Sequence, residues 1–256
     1  MKSSNIGGQA VMEGIMMRSG DQYSIGVRKP DGEIEVKVEP YRSWAKDSSI
    51  WKLPVFRGVA SFFESLVVGI RCLMYSASFI EDEEEDAKKP GKEKTEEQKE
   101  KEEKWLMYGT MTFSVIFSIA LFIMLPYFLA GFLRNVTTSE GVIAVAEACV
   151  RMILFLGYLV LISRMKDIQR VFMYHGAEHK CINCVEHGLE LNVENVMKSS
   201  REHKRCGTSF LLFVMIVSII FFLFIRVSSP VLRVVIRLLL MPVIAGVSVS
   251  YTHLRA

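Results

Sequence analysis

The sequence predicts a mainly α, polytopic helical membrane protein with a small β-hairpin element near its N-terminus. Two stretches without charged residues, Trp105 to Leu133 (29 residues) and Cys206 to Ile225 (20 residues), support the membrane class, because roughly 20 apolar residues cross a hydrocarbon core. Alternation of apolar and polar residues on both sides of Asp31-Gly32 supports the hairpin. A purely soluble protein is therefore excluded.

Residues 1–52 form the first predicted region, a glycine-rich segment followed by the hairpin from Gln22 to Val38. The first twenty residues lack the continuous apolar stretch of a signal peptide, so we expect this region to stay in the cytosol. Within Gly7 to Arg18, Glu13 and Arg18 are lone charges among apolar neighbours, a pattern that usually means pairing or a ligand. The segment lacks the Gly-Lys-Ser/Thr ending of a phosphate-binding loop.

Residues 53–80 are predicted to form an amphipathic or re-entrant membrane-associated helix. Arg57, Glu64 and Arg71 are spaced seven apart and therefore share one stripe of its surface. Three ionisable groups at membrane depth would need partners. We therefore expect this helix to lie at the interface or to pack against something polar.

Residues 81–104 are predicted to be a charged disordered tether or a frayed helix. They contain 12 acidic residues and 7 lysines, with no apolar residue beyond Ala87. Such a segment buries too little apolar surface to offset the entropy of ordering.

The remaining residues, 105–256, are predicted to form a bundle of about four transmembrane helices. The expected spans are Trp105 to Leu133, Gly141 to Ser163, Gly207 to Ile225 and Val231 to about Tyr251. Glu147 and Arg151 lie four residues apart in the second span, which predicts a structural ion pair along that helix.

The connection at residues 164–206 carries eight basic residues, whereas the short connections elsewhere carry only Arg134 and Arg226. The positive-inside rule therefore places this loop, the N-terminal region and both chain termini on the cytoplasmic side. The excess of positive charge suits a lipid bilayer surface, and no nucleic-acid module is recognisable, so no nucleic-acid partner is expected.

The same loop contains four of the five histidines and three of the five cysteines, between His175 and Cys206. In a first interpretation, His175-Gly-Ala-Glu178-His179 is an HxxEH motif on a helix that continues from the second span. Its two imidazoles share the inward stripe of Ile168, Phe172 and Ile182, and they present their nitrogens to one divalent ion, for which Zn²⁺ is expected. Glu178 then takes a proton from water, and His203 or Cys206 supplies a third ligand.

A second interpretation uses Cys181-x2-Cys184 and His203-x2-Cys206 as a closed four-ligand zinc site that only staples the loop. Both interpretations use His203 and Cys206, so one ion cannot satisfy both. Spacing alone does not choose between them.

Four segments together resemble the YqhQ-like family of bacterial membrane proteins, whose members are labelled metal-dependent enzymes of unknown function. They are GGQAVMEGIMMR, RGVASFFESL, YHGAEHK and HxxCGTSF, and the resemblance runs from about Ile6 to about Val247. It implies metal binding by His175, His179, His203 and Cys206, and catalytic roles for Glu178, Glu13 and Arg18. Cys181 and Cys184 match no required position of the family, and the ending SVSYTHLRA departs from a pattern that continues further.

Together these features predict a metal-dependent, hydrolytic enzyme of the bacterial cytoplasmic membrane, with its site at the cytosolic face. Glu178 would be the general base, and Arg18 would stabilise developing negative charge. The expected substrate is a peptide or a lipid-linked molecule. The alternative is a non-enzymatic scaffold or biogenesis factor, in which zinc orders the 164–206 loop as a docking surface.

Overall fold

The computed structural model of the chain describes residues 4, 6–43, 54–87, 96–203, 206–225, 227 and 229–254. Four strands come first along the chain: β1 (Gly7–Val11), β2 (Gly14–Ser19), β3 (Gln22–Arg28) and β4 (Ile34–Pro40). Eight α-helices follow: α1 (Pro54–Ala87), α2 (Glu96–Ile119), α3 (Leu125–Gly131), α4 (Glu140–Ile162), α5 (Lys166–Glu186), α6 (Val193–Lys198), α7 (Gly207–Phe224) and α8 (Pro230–Leu254). A π-helical turn (Ala120–Met124) joins α2 to α3, and a 3₁₀ turn (Phe132–Asn135) follows α3.

The four strands form one antiparallel sheet in the order β1-β2-β3-β4. The predicted hairpin is confirmed as β3 and β4, and Gly32 in its turn has φ 89°, the conformation for which glycine is favoured. The glycine-rich segment adds a second hairpin, β1 and β2, that the sequence pattern did not predict. Its apolar residues follow one another without alternation, so no period of two marks it.

Helix α1 packs on one face of this sheet. The alternating residues Tyr23, Ile25 and Val27 of β3 are buried there in one cluster with Val11 and Cys72. Strand alternation explains this arrangement, since every second side chain of β3 points to the same face.

The charged stripe of α1 lies partly on the sheet side, as the prediction of a polar partner requires. The buried carboxylate of Glu64 accepts hydrogen bonds from the hydroxyl groups of Tyr41 and Ser43, at 2.5 Å and 3.0 Å. Elsewhere on α1, Leu66, Val67, Leu73 and Met74 are exposed. The helix therefore has apolar surface beyond what the sheet covers.

Five helical segments of the described residues are long and apolar enough to cross a membrane. They are Phe56–Ile80, Trp105–Asn135, Glu140–Ile162, Gly207–Phe224 and Val231–Val249. Four match the predicted spans, and the fifth is the helix predicted as membrane-associated. In the predicted tether, α1 extends to Ala87 and α2 begins at Glu96, while residues 88–95 lie outside the described residues.

The chain divides into two compact units. One comprises residues 1–85, 162–218 and 239–256, and it contains the sheet, α1 and α5. The other comprises residues 86–161 and 219–238 and holds a buried ionic cluster.

In that cluster, Glu147 accepts hydrogen bonds from Arg151, at 2.8 Å, and from both terminal nitrogens of Arg237. The predicted pair of Glu147 and Arg151 is present, and Arg237 is an unpredicted second partner. Arg151 also donates from Nε to the carbonyl oxygen of Phe122, at 3.2 Å. Pro126, four residues after Phe122, has no N–H, so the α-helical donor to that carbonyl is missing, and Arg151 supplies a side-chain donor there.

Candidate metal centre

Helix α5 carries the HxxEH motif and lies outside the five candidate spans. It does not continue from α4 as predicted, because Met165 has an extended backbone (ψ 132°) and interrupts the helix. His175 and His179 are one turn apart on α5, and their ring centroids are 4.3 Å apart. His179 and Ile182 are buried as the period predicts and Ile168 is half-buried, but Phe172 is 42% exposed, so the predicted inward stripe is interrupted at Phe172.

Cys206 is the third member of the group. Its Sγ lies 3.3 Å from Nε2 of His175, and the ligand atoms of His175, His179 and Cys206 are all within 4.8 Å of one another. Bonds of about 2.0–2.1 Å to nitrogen and about 2.3 Å to sulfur around a tetrahedral ion would place such atoms about 3.6 Å apart. Within the part of the chain that the structure describes, this is the one His/Cys/Asp/Glu group of three or more at that spacing.

The chain returns to α5 at residues 200–203 and Cys206, here called the returning segment. Side chains of α5 make hydrogen bonds to backbone carbonyls of this segment. His179 Nδ1 lies 2.8 Å from the carbonyl oxygen of Arg201. The buried Asn183 donates from Nδ2 to the carbonyls of Ser200 and Glu202, at 2.8 and 2.9 Å. The carbonyl oxygen keeps the proton of His179 on Nδ1 and leaves Nε2 free as a ligand atom.

Sequence reasoning missed Asn183, although its position gave a signal. It lies four residues after His179 and therefore on the same face of α5. A buried amide needs hydrogen-bond partners, and two backbone carbonyls of the returning chain supply them. Asn183 therefore positions the segment that carries Cys206.

Glu178 is the buried carboxylate of the centre, with 3% of its surface exposed. Its Oε2 lies 3.5 Å from Nδ1 of His175 and 3.8 Å from Nε2 of His179, and it accepts no hydrogen bond from any described residue. Burial raises the pKa of Glu178 above its ordinary value. Burial, and secondarily the neighbouring His179, lower the pKa of His175, which favours the neutral imidazole that binds metals.

Strand β1 lies directly against this carboxylate. A Cβ atom built on Gly8 would be only 2.6 Å from Cγ of Glu178, so only glycine fits there without displacement. The next residue, Gln9, points to the opposite face, where its Nε2 donates to the carbonyl of Gly69 in α1, at 3.4 Å. The glycine-rich strand therefore separates α1 from Glu178 on α5.

Glu13 was predicted to be catalytic, and the structure places it in the β1–β2 turn, where it contacts Arg170 and Tyr174 of α5. Its carboxylate accepts two hydrogen bonds from Arg170, at 2.6 and 2.8 Å, and one from Tyr174, at 3.0 Å. The Arg170 side chain lowers the pKa of Glu13. With φ 49°, Glu13 has a backbone conformation that favours glycine. These contacts fix the β1–β2 turn to α5.

Arg18, the other residue predicted to be catalytic, lies over the ring of Tyr41, with 3.8 Å from its guanidinium carbon to the ring centroid. Tyr41 belongs to the core between the sheet and α1. The structure thus gives Arg18 an aromatic partner, and the predicted role in stabilising negative charge is not supported by a contact with Glu178.

The remaining candidate ligands also have other partners. The ring of His203 lies 5.8 Å from the ring of His179, centroid to centroid, but its Nε2 lies 3.3 Å from a carboxylate oxygen of Glu186. Cys206, and not His203, shares ion-binding distance with the two imidazoles. The Sγ of Cys184 is fully buried and faces the carbonyl oxygen of Glu190, at 3.4 Å. Cys181 and Cys184 are not in the group, so the geometry favours the HxxEH interpretation over the closed staple.

Fold and site together define the class: a polytopic helical membrane protein with an N-terminal antiparallel sheet and a His/His/Cys group that could hold a metal ion. The chain belongs to the family described as "Protein of unknown function (DUF1385)", whose sequence profile matches residues 53–256. It is 37% identical over 249 residues to the "Uncharacterized protein YqhQ" of Bacillus subtilis (strain 168), covering 97% of this chain and 78% of the relative. The resemblance seen in the motifs is therefore confirmed. No solved structure matches the chain.

Proposed function

We propose that the chain is a zinc-dependent hydrolase of the bacterial cytoplasmic membrane, acting on a peptide or lipid-linked substrate. His175, His179 and Cys206 would hold the ion, and Glu178 would act as the general base. One observation carries the proposal: a buried carboxylate oxygen that accepts no hydrogen bond from the described part of the chain faces two imidazoles that share ion-binding distance with a thiol.

The residues fit a zinc ion by their chemistry. Imidazole nitrogen and thiolate sulfur are the ligands that zinc prefers, and three protein ligands leave a fourth position open, as in catalytic zinc sites. The hydrogen bond between His179 and the Arg201 carbonyl is the outer contact that usually orients a ligating histidine. When bound, zinc would supply a Lewis acid that polarises water and a substrate carbonyl.

The side chains of this chain would carry the proton. Glu178 lies beside both imidazoles, so its Oε2 is placed to accept a proton from a water molecule that enters the centre. A carboxylate with a raised pKa accepts a proton more readily and can return it to the leaving group. Glu13 would act as a positioning residue, since it holds the hairpin of Gly8 against α5 through Arg170.

The position of the site follows from the charge pattern. The 164–206 loop contains the HxxEH motif and eight basic residues, and Cys206 immediately precedes the candidate span Gly207–Phe224. We therefore place the site at the cytosolic face, with both chain termini in the cytoplasm.

Metal analysis of the full-length chain, purified in detergent, tests the ligand set. We expect about one zinc ion per chain and loss of most of it in His179→Ala and in Cys206→Ala. The matched control is Cys181→Ser/Cys184→Ser, which should keep the ion because neither thiol belongs to the group. Zinc loss in that control would favour the closed four-ligand site, and metal-free native protein would refute the proposal.

The scaffold alternative also has support, because Asn183 anchors the returning segment to α5. A second experiment distinguishes an enzyme from such a scaffold. Glu178→Gln removes the base but keeps the shape of the side chain. We expect zinc content to stay the same while cleavage of a degenerate octapeptide mixture, followed by mass spectrometry, falls about 10²- to 10⁴-fold. Loss of zinc in this variant would instead identify Glu178 as a ligand.

A further inference from the structure

Strand β1 is an edge strand of the sheet, since its one strand partner among the described residues is β2. The two strands are joined by the two-residue turn Met12-Glu13, with Val11 opposite Gly14. In such a hairpin the residues that flank the turn form a hydrogen-bonded pair, and hydrogen-bonded and non-bonded pairs then alternate.

This alternation decides which backbone groups face outward. Val11, Gln9 and Gly7 bond to β2, whereas the N–H and C=O groups of Gly8 and Ala10 point away from it. Gly7 and Gly8 are exposed, Ala10 is half-buried, and a Cβ on Gly7 would meet no atom within 4 Å. The outer edge of β1 is thus an accessible row of backbone donors and acceptors.

The same edge lies at the candidate centre. Gly8 carries outward-facing backbone groups. The face of β1 to which a side chain at Gly8 would point is also the one that contacts the Glu178 carboxylate. A molecule bound along this edge would pass beside Glu178 and the two imidazoles. Donors and acceptors that repeat every second residue match an extended polypeptide main chain, and a lipid-linked headgroup offers no such repeat.

We propose that the edge of β1 binds the substrate, and that the substrate is an extended peptide segment paired through its main chain with Gly8 and Ala10. This inference rests on the proposed hydrolytic function and selects peptides from the two substrate classes. One water is consumed: its oxygen bonds to the carbonyl carbon, the C–N bond breaks, and the amine leaves with a proton delivered through Glu178. Recognition by the main chain makes the selection tolerant of side-chain sequence.

The test measures binding to the full-length, zinc-loaded chain in detergent. The probe is a degenerate octapeptide mixture with a C-terminal hydroxamate, and acetohydroxamate reports the metal-binding group alone. Two further mixtures carry N-methyl groups on alternate amides, in the two possible frames. An extended strand pairs through every second residue, so only the mixture whose N-methyl groups fall on the paired amides should bind more weakly. The expected loss is about fivefold for each lost hydrogen bond.

The protein variant is Ala10→Pro, which removes one outward N–H at an edge position where proline is tolerated. Its matched control is Ala10→Gly, which keeps the N–H. We expect about fivefold weaker binding of the peptide hydroxamate to Ala10→Pro, unchanged binding of acetohydroxamate to both variants, and equal zinc content.

The inference is overturned if the peptide mixture binds no tighter than acetohydroxamate, or if its affinity survives both N-methyl frames. The N-methyl mixtures keep the test decisive should Ala10→Pro fail to fold. A chain that binds neither zinc nor acetohydroxamate would instead refute the proposed function, together with the inference built on it.

Discussion

Replacing Gly8 with alanine tests whether β1 and Glu178 are in direct contact. The added Cβ would be 2.6 Å from Cγ of Glu178, against an ordinary carbon–carbon contact of about 3.5–4.0 Å. The strand or the carboxylate must therefore move until the two carbon atoms are about 1 Å further apart. Overpacking of this kind costs about 1–3 kcal/mol.

Gly7→Ala is the matched control on the same strand, because its Cβ would meet nothing within 4 Å. Replacing glycine by alanine where the backbone allows it stabilises by about 0.4–1 kcal/mol, through the unfolded chain. For Gly8→Ala the same gain offsets part of the overpacking, which leaves a net loss of about 1–2 kcal/mol. At about 2–4 °C per kcal/mol, the unfolding midpoint should fall by about 2–8 °C, whereas Gly7→Ala should raise it slightly.

The assay is thermal unfolding of the full-length chain in one detergent, in a double-mutant cycle with Glu178→Ala. That second substitution removes Cγ, Cδ and both carboxylate oxygens, the atoms that the new Cβ would meet. Gly8→Ala should therefore cost nothing in the Glu178→Ala background, with a coupling energy of about 1–3 kcal/mol. Equal destabilisation in both backgrounds, or equal effects of Gly7→Ala and Gly8→Ala, would refute the contact.

Two further predictions concern buried polar groups. Glu147→Gln leaves Arg151 and Arg237 buried without their counter-charge, so it should destabilise the chain by about 3–5 kcal/mol. Glu140→Gln, which breaks an exposed pair with Arg134, should cost less than about 1 kcal/mol, and equal shifts of the unfolding midpoint would contradict this account. Asn183→Ala removes the two hydrogen bonds that anchor the returning segment, so zinc affinity measured by chelator competition should fall about 10- to 100-fold. Asn195→Ala, on the exposed α6, is its control and should leave that affinity unchanged.

Local patterns in the sequence were sufficient to predict most of the secondary structure. The long apolar stretches predicted four spans, and Asp31-Gly32 predicted the turn between β3 and β4. These two predictions succeed because a membrane span depends on the composition of its own segment, and a tight turn depends on the residues within it. The β1–β2 hairpin was missed, because its stability comes from packing between α1 and α5 rather than from its own pattern.

Of the candidate site, likewise, one part could be predicted from the sequence and one part could not. The HxxEH motif alone indicated that His175 and His179 present their nitrogens together, because residues four apart share one face of any α-helix. The choice of Cys206 over His203 required the tertiary structure. Both lie on the returning segment, whose hydrogen bonds to His179 and Asn183, together with the contact of His203 with Glu186, leave Cys206 at the imidazoles.

The sequence by itself thus determined which segments are helical and apolar and where two of the candidate ligands lie, since these depend on neighbours along the chain. Tertiary structure decided which distant residues meet: Gly8 with Glu178, Glu13 with Arg170, and Arg237 with Glu147. Many residues of the right type are available for each such pair. Only the packing of whole helices and strands selects one, because a buried charge or carboxylate must find its partner within the space that the packed backbone leaves.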